Sequence, residues 1–176
     1  SWDVSGAFLK GFPFKDITQR LKNKGLHAPE REVSIRPPAS VWRHLRESSK
    51  SGIVIAEHDT WWYVLECIKA MYGLNDAPLA WQLALQEYLA HRGGIQSTLD
   101  ECFYFWPLKP GVLEAVCTCH VDDNAVGATA KWLDSEFSAF EKQFGGATRN
   151  KLPFRHTGIQ HQMTKVGLCE VLKQDQ

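Results

Sequence analysis

The sequence predicts an α+β fold in which helices pack on one face of an antiparallel sheet. An apolar run, two adjacent acids and a second apolar run over 117–127 indicate a tight hairpin. Leucines at helical spacing over 79–89 and aromatic residues at helical spacing over 132–144 indicate two amphipathic helices. With 176 residues, 44% of them hydrophobic, the chain can bury one core, and we expect one domain over 1–176.

Short elements are predicted for the first part of the chain. A strand that carries Asp3 is followed by a turn at 11–13. Residues 15–31 are rich in Lys, Arg and Gln, and we expect them to form a surface excursion. The basic side chains of this segment could contact a phosphate backbone or be solvated by water. We favour solvation, which is the usual state of a charge cluster in a loop.

A strand, a helix and a second strand are predicted for the middle of the chain. Alternating residues over 32–36 predict the first strand, which prolines at 37–38 stop. A brief amphipathic helix follows around Trp42. Aromatic and β-branched residues over 61–71 then predict the second strand.

Start and stop signals frame the two longer helices. Asp76 is placed to cap the first helix, Pro78 lies in its first turn, and glycines at 93–94 end it. Thr129 is placed to cap the second, which glycines at 145–146 end.

The remaining segments predict strands. Two of them, 103–106 and 113–121, precede the acids of the hairpin. An alternating run over 154–163 leads to a turn at 165–167 and a last strand over 168–172.

The two adjacent acids of the hairpin are Asp122 and Asp123. Like charges this close repel and raise each other's pKa unless a cation lies between them. The pattern therefore indicates a bound metal or a basic partner. Asp and Asn are also ordinary turn formers, so a solvated turn is the more common explanation of an isolated Asp-Asp pair.

The cysteines form no paired framework of the secreted kind, because their number is odd, and a reducing intracellular setting is expected. They lie at positions 67, 102, 117, 119 and 169. Spacing along a strand sends Cys117 and Cys119 to one face and His120 to the other. We therefore do not expect a zinc site here, since zinc sites usually show two spaced ligand pairs.

The charge is balanced, with 20 basic and 20 acidic residues. This balance argues against a chain that binds nucleic acid by charge alone. No segment has the unbroken apolar length of a membrane span, and no basic-then-apolar leader opens the sequence, so no membrane partner is expected.

Five short motifs occur in register along nearly the whole chain. They are Asp3–Leu9, Tyr72–Trp81, Asp100–Tyr104, His120–Asp123 and Thr157–Ile159. Together they resemble the copia-type retrotransposon reverse transcriptase. That family writes its three central motifs as Asp-Val-x-x-Ala-Phe-Leu, Leu-Tyr-Gly-Leu-Lys-Gln-Ala-Pro-Arg-Ala-Trp and Tyr-Val-Asp-Asp. The resemblance implies the palm subdomain of an RNA-directed DNA polymerase.

The resemblance implies two-metal nucleotidyl transfer with Mg²⁺, or with Mn²⁺ in its place. Asp3 and Asp122 are the expected metal ligands, and the carbonyl oxygen of Val4 is a further one. Asp123 is the third expected catalytic acid. We expect Asp123 to contribute less directly to metal binding than Asp122, because the side chains of adjacent residues tend to point apart.

The substrate contacts are also implied by the resemblance. Phe8 matches an aromatic gate that crowds a ribose 2′-hydroxyl, and the turn with Tyr72, Gly73 and Pro78 lines the pocket for the incoming nucleotide and template base. His120 stands beside the acids. The implied partners are an RNA or DNA template-primer, a deoxynucleotide, and the other polyprotein domains (fingers, thumb, RNase H and integrase). The implied location is a cytoplasmic particle or the nucleus.

Departures from the family pattern favour an alternative. His120 replaces the usual Tyr, Asn75 and Asp76 replace Lys-Gln, and Leu79 replaces Arg, so two positive charges beside the pocket are lost. The chain also opens inside a motif, and we expect fingers and thumb to be absent or incomplete. The alternative is an inactive retroelement remnant that at most binds nucleic acid or protein. A two-metal nuclease shares the carboxylates but does not account for Phe8.

Overall fold

The chain folds into two units, and the computed structural model describes residues 1–48, 52, 57–165 and 169–172. Unit 1 comprises Ser1–Phe12 and Met71–Gln176, and unit 2 comprises Pro13–Ala70. In chain order the elements are β1 (Trp2–Val4), α1 (Ala7–Lys10), α2 (Phe14–Asn23), β2 (Ser34–Ile35), α3 (Ala39–Glu47), a 3₁₀ helix (Glu57–Trp62), β3 (Leu65–Glu66), α4 (Ala77–His91), β4 (Ile95–Gln96), β5 (Phe103–Lys109), β6 (Val112–His120), β7 (Asp123–Ala128), α5 (Ala130–Phe144), β8 (Ala147–Arg149), β9 (Phe154–His156), β10 (Ile159–Met163) and β11 (Cys169–Leu172).

The largest sheet lies in unit 1 and has the strand order β4-β5-β6-β7-β1-β8. Its neighbouring strands pair antiparallel. Strands β6 and β7 form the predicted hairpin, with His120 opposite Asp123 at its end. Helices combined with a mostly antiparallel sheet confirm the predicted α+β class. A second sheet of unit 1 has the order β11-β10-β9.

One face of the six-stranded sheet carries the core of unit 1. Alternation along the paired strands places Trp2, Cys117 and Trp106 on this face, where they are buried. The Phe140 ring of α5 lies 5.3 Å from the Trp2 ring and 5.6 Å from the Tyr88 ring of α4, measured between centroids. Sheet and helices therefore share one aromatic cluster, whose burial holds the three elements together.

The two long helices begin and end close to the predicted positions. Thr129 caps α5, since its side-chain oxygen accepts a hydrogen bond from the Trp132 amide at 3.4 Å. Asp76 occupies the N-cap position of α4, but its side chain makes no capping hydrogen bond. Gly93 and Gly145 follow the helix ends with φ of 81° and 68°, a conformation that glycine adopts without strain.

Helix α2 corrects the prediction for 15–31. That segment was expected to be a surface excursion, and most of its residues are exposed, but its first part is an ordered helix that runs to Asn23. Phe14 and Ile17 are buried on one side of α2, while most of its other residues are polar. Because most residues of the segment are polar, its narrow apolar stripe is difficult to recognise in the sequence. The stripe is still sufficient to pack the helix against unit 2.

The predicted strand over 61–71 is mostly not a strand in the structure. Only Leu65 and Glu66 form a strand there, paired with Ile35 and Ser34, and a 3₁₀ helix ends at Trp62. Aromatic residues favour strands when they pack on a half-buried pleated surface. Trp61 and Trp62 are exposed, so that condition fails.

The end of the described chain forms a hairpin and one further strand. The alternating run over 154–163 divides into β9 and β10 at Thr157 and Gly158, which have φ of 50° and 81°. The predicted turn at 165–167 and the start of the last strand at Leu168 lie partly outside the described residues. No helix in the described ranges is long and apolar enough to cross a membrane.

Candidate functional site

Asp3 and Asp123 lie directly opposite each other on neighbouring strands. Asp3 is the middle residue of β1 and Asp123 is the first residue of β7, and they are partners in the antiparallel pairing. Partner residues project from the same face of a sheet. Because Trp2 is buried in the core, its neighbour Asp3 lies on the opposite face. We call this surface, opposite to α4 and α5, the acidic face.

The pairing extends into a row across four strands. Asp123 is also the partner of His120 on β6, and Asp3 is also the partner of Thr148 on β8. His120 is exposed, whereas Asp3 and Asp123 are half-buried. The row therefore places a hydroxyl and an imidazole on either side of two carboxylates.

Asp122 lies in the turn of the hairpin rather than in a strand. From the sequence, Asp122 was expected to contribute more directly than Asp123 to the site with Asp3. The register pairs Asp3 with Asp123, whereas the charge of Asp122 raises the pKa of Asp3 more than the charge of Asp123 does, so both acids act on Asp3. The turn is tied to β1, because the Val4 amide donates a hydrogen bond to the Asp122 carbonyl at 3.1 Å. The preceding residue, Val121, has a φ of 52°, which is strained for a β-branched side chain.

The three acids influence each other electrostatically. Burial raises the pKa of the Asp3 carboxyl above its usual value, and the charges of Asp122 and Asp123 raise it further. In the part of the chain that the structure describes, no salt bridge joins these carboxylates to a cationic side chain. The repulsion among the acids is therefore not offset by an ion pair with a described side chain.

Two buried side chains support the turn. Asn124 is 1% exposed, and its side-chain amide donates to the carbonyls of Trp2 at 3.4 Å and of Asp122 at 3.2 Å. The indole nitrogen of Trp81 donates to the carbonyl of Val121. Asn124 thus fixes the turn to β1, and Trp81 fixes it to α4. Neither role was predicted from the sequence, and the polar residue directly after the two acids is the signal that points to Asn124.

The expected substrate-contacting residues form a second group. The Phe8 ring on α1 and the exposed Tyr72 ring lie 5.0 Å apart between centroids and are tilted by 52°. Gly73 has a φ of 90°, and no atom lies within 4 Å of where a Cβ would stand. Pro78 is exposed in the first turn of α4. Phe8 lies five residues after Asp3 in the chain, so this second group is linked in sequence to the acids of the acidic face.

His156 on β9 is a further residue near the acids that sequence reasoning missed. It is 7% exposed, and β9 contacts β7. Burial lowers the pKa of His156, while the charge of Asp123 acts in the opposite direction. Among the described residues its Nδ1 atom has no hydrogen-bond partner. A histidine in an alternating run gives no signal by itself, because only the fold brings it to Asp123.

Cys117 and Cys119 lie on the core face, as predicted, with their sulfur atoms 3.7 Å apart. His120 lies on the acidic face, also as predicted. Burial and the neighbouring Cys117 raise the pKa of the Cys119 thiol, with the hydrogen bond to Cys117 as the largest cause. The Cys119 thiol is therefore protonated at neutral pH, and both side chains belong to the packing of the sheet.

The carboxylates fit a hard divalent cation. Mg²⁺ prefers oxygen ligands and uses one or two carboxylates, with water and phosphate oxygens completing its shell. Asp3 and Asp123 supply such a pair, and a cation would offset the repulsion that raises the pKa of Asp3. Within the described ranges, no group of three or more His, Cys, Asp and Glu side chains is arranged to hold a metal ion.

Comparison with protein-family models, with curated proteins and with solved structures finds no match for the chain. The chemical character of the site therefore rests on its own residues. Paired carboxylates on a sheet face, with an adjacent aromatic pair, suit the binding of a cation together with a phosphorylated ligand that carries a ring.

Proposed function

We propose that this chain is the palm region of a copia-type retrotransposon reverse transcriptase, an RNA-directed DNA polymerase. The observation that carries the proposal is the cross-strand pair of Asp3 and Asp123 on the acidic face, with Asp122 in the adjoining turn. The five motifs around these acids support it. So does an antiparallel sheet that is packed against helices on one face, which is the architecture that a palm requires.

The chemistry is transfer of a nucleotide to a primer. The primer 3′-hydroxyl oxygen attacks the α-phosphorus of a deoxynucleotide, and the bond from that phosphorus to the pyrophosphate oxygen breaks. When bound, two Mg²⁺ ions, or Mn²⁺ in their place, would neutralise the negative charge that develops on the transferred phosphoryl group. Asp3, Asp122 and Asp123 would hold these ions at the end of the hairpin, and the Val4 carbonyl oxygen would be a further ligand.

The aromatic pair accounts for sugar selection. The Phe8 ring rests on Tyr72 at 5.0 Å, so it forms a wall with restricted freedom to move. A ribose 2′-hydroxyl against such a wall is crowded, whereas a deoxyribose fits. Gly73 and Pro78 shape the floor on which the base lies, and His120 offers a hydrogen-bond donor next to Asp123.

The partners under this proposal are a template-primer of RNA or DNA, a deoxynucleotide, and the remaining polyprotein domains, namely fingers, thumb, RNase H and integrase. The place of action is a cytoplasmic particle or the nucleus. An inactive remnant of the same element would keep the fold without binding metal and nucleotide together, so a joint test of the two ligands separates the remnant from the polymerase.

Calorimetric titration with Mn²⁺ tests the proposal. The wild-type chain is expected to show a saturable site, and Asp3→Asn and Asp123→Asn to weaken it at least about tenfold, because each removes one of two carboxylate ligands. Glu141→Gln is the matched control, since Glu141 is an exposed acid on α5 in the same unit. Equal affinity in all four proteins would contradict the proposal.

A second titration adds dTTP in the presence of Mn²⁺. Binding of dTTP is expected to depend on both the metal and Asp123, because the triphosphate completes the coordination of the ion. Metal binding without any nucleotide binding would instead favour the remnant.

A further inference from the structure

Unit 2 carries a run of exposed aromatic residues that the acidic face does not use. Trp61, Trp62 and Tyr63 are consecutive in the chain, and their exposed fractions are 65%, 79% and 48%. Aromatic side chains of this size contribute most when they are buried in a core or an interface. Large exposed aromatic side chains concentrated in one short segment indicate a binding surface. We call these three residues the aromatic platform.

Arg36 is stacked on the platform. Its guanidinium carbon lies 4.7 Å from the centroid of the Trp61 ring, a cation–π contact. Arg36 directly follows β2, whose pairing with β3 sets the backbone position of the arginine. The contact orients the Trp61 ring and places a permanent positive charge at its side.

Further basic residues belong to the element that supports the platform. Helix α3 contacts the 3₁₀ helix that ends at Trp62, and α3 carries Arg43 and Arg46. Unit 2 as a whole has ten Lys and Arg against seven Asp and Glu, a formal charge of +3. Unit 1 has ten against thirteen, a formal charge of −3. The balanced total therefore conceals a basic unit, and the platform lies in it.

We propose that the aromatic platform and Arg36 bind single-stranded nucleic acid by stacking on its bases. Each base has a π face, so stacking accepts any sequence, while basic residues meet the backbone phosphates. A duplex offers fewer free base faces, because its bases already stack on each other. The inference rests on the proposed function for the choice of nucleic acid over protein as the partner, and the charge of unit 2 supports the same choice.

The test is the binding of a fluorescein-labelled oligo(dT) of about 12 nucleotides to the full chain, followed by anisotropy in EDTA at low salt. Trp62→Ala is expected to raise the dissociation constant about tenfold, which corresponds to about 1.4 kcal/mol. Trp62→Phe keeps a ring and should retain most of the affinity. Leu99→Ala is the matched control, since Leu99 is a 96% exposed apolar residue of unit 1.

Two further measurements distinguish stacking from charge alone. Arg36→Gln is expected to reduce the slope of log K against log salt by about 0.7, the value for one phosphate contact on a single strand. A duplex of equal length is expected to bind more weakly than the single strand. Tighter binding of the duplex, or unchanged binding by both Trp61→Ala and Trp62→Ala, would overturn the proposal and leave the platform to a protein partner.

The assay contains neither metal nor nucleotide, so its outcome is independent of the acidic face. Asp3→Asn is expected to bind the oligonucleotide as tightly as the wild type does. Loss of Mn²⁺ binding would refute the proposed function while leaving this result in place. A wild-type chain that binds Mn²⁺ but no oligonucleotide would refute only the proposal for the aromatic platform.

Discussion

The indole nitrogen of Trp81 donates a hydrogen bond to the carbonyl oxygen of Val121, which joins α4 to the turn that carries Asp122. Trp81 is 1% exposed, and its ring packs against Phe144 at 4.9 Å between centroids. The strained backbone of Val121, with a φ of 52°, persists only where its surroundings fix it. The buried tryptophan supplies part of that fixation, so it positions the site without belonging to it.

Trp81→Phe is expected to destabilise the fold by about 1–3 kcal/mol, because the Val121 carbonyl loses its donor and the smaller ring leaves space. It is also expected to weaken Mn²⁺ binding, since the turn is no longer held. Urea unfolding and calorimetry measure the two effects. Trp132→Phe is the control, because Trp132 packs on the same core but does not contact the turn through its indole nitrogen. Equal effects of both variants on Mn²⁺ affinity would rule out a positioning role.

The raised pKa of Asp3 predicts how stability depends on pH. Burial and the two neighbouring acids raise it above 3.8, so the folded chain holds the proton more tightly than the unfolded chain does. Stability therefore falls as pH rises from the unfolded pKa through the folded one, and the penalty is complete above the folded pKa.

Asp3→Asn is accordingly expected to be more stable than the wild type at neutral pH in metal-free buffer, and equally stable below the unfolded pKa. Denaturant midpoints at several pH values measure the difference. Asp134→Asn is the control, because the Asp134 carboxylate pairs with Arg149 and its removal gives no gain. A less stable Asp3→Asn at neutral pH would show that the acids do not repel each other.

Local signals predict the elements around the site well. The cap at Thr129, the helix end at Gly145 and the hairpin with its two acids all depend on residues close together in sequence. Such signals act through backbone conformations that each residue type prefers, so no tertiary information is needed to find them.

The strand pairing of the acids is beyond that kind of reasoning. A shift of one residue in the turn moves every side chain of the following strand to the other face. With the turn at 121–122, Asp123 is the partner of Asp3, and tertiary hydrogen bonds of Asn124 and Trp81 hold the turn in this register. The approach of His156 to Asp123 depends on the fold in the same way.

Phe8→Val tests the sugar gate. Removing most of the ring opens the space beside Tyr72, so the ratio of the dissociation constants of ribothymidine triphosphate and dTTP is expected to fall about tenfold in Mn²⁺. If Phe8 is an ordinary core aromatic, the variant loses stability and the ratio does not change. Phe137→Val is the control, since Phe137 packs in the core against Trp2.

The charge of unit 1 bears on the rate at which this chain alone extends a primer. Holding a duplex requires basic surface to meet its phosphates, and unit 1 has a formal charge of −3. A primer end that is misplaced by about an ångström costs on the order of a hundredfold in rate. We therefore expect no useful extension of oligo(dT) on poly(rA) in Mg²⁺, even with an intact metal site. The assay runs the wild type beside Asp122→Asn. Extension by the wild type that the variant lacks would contradict this prediction about rate while supporting the assignment of the acids.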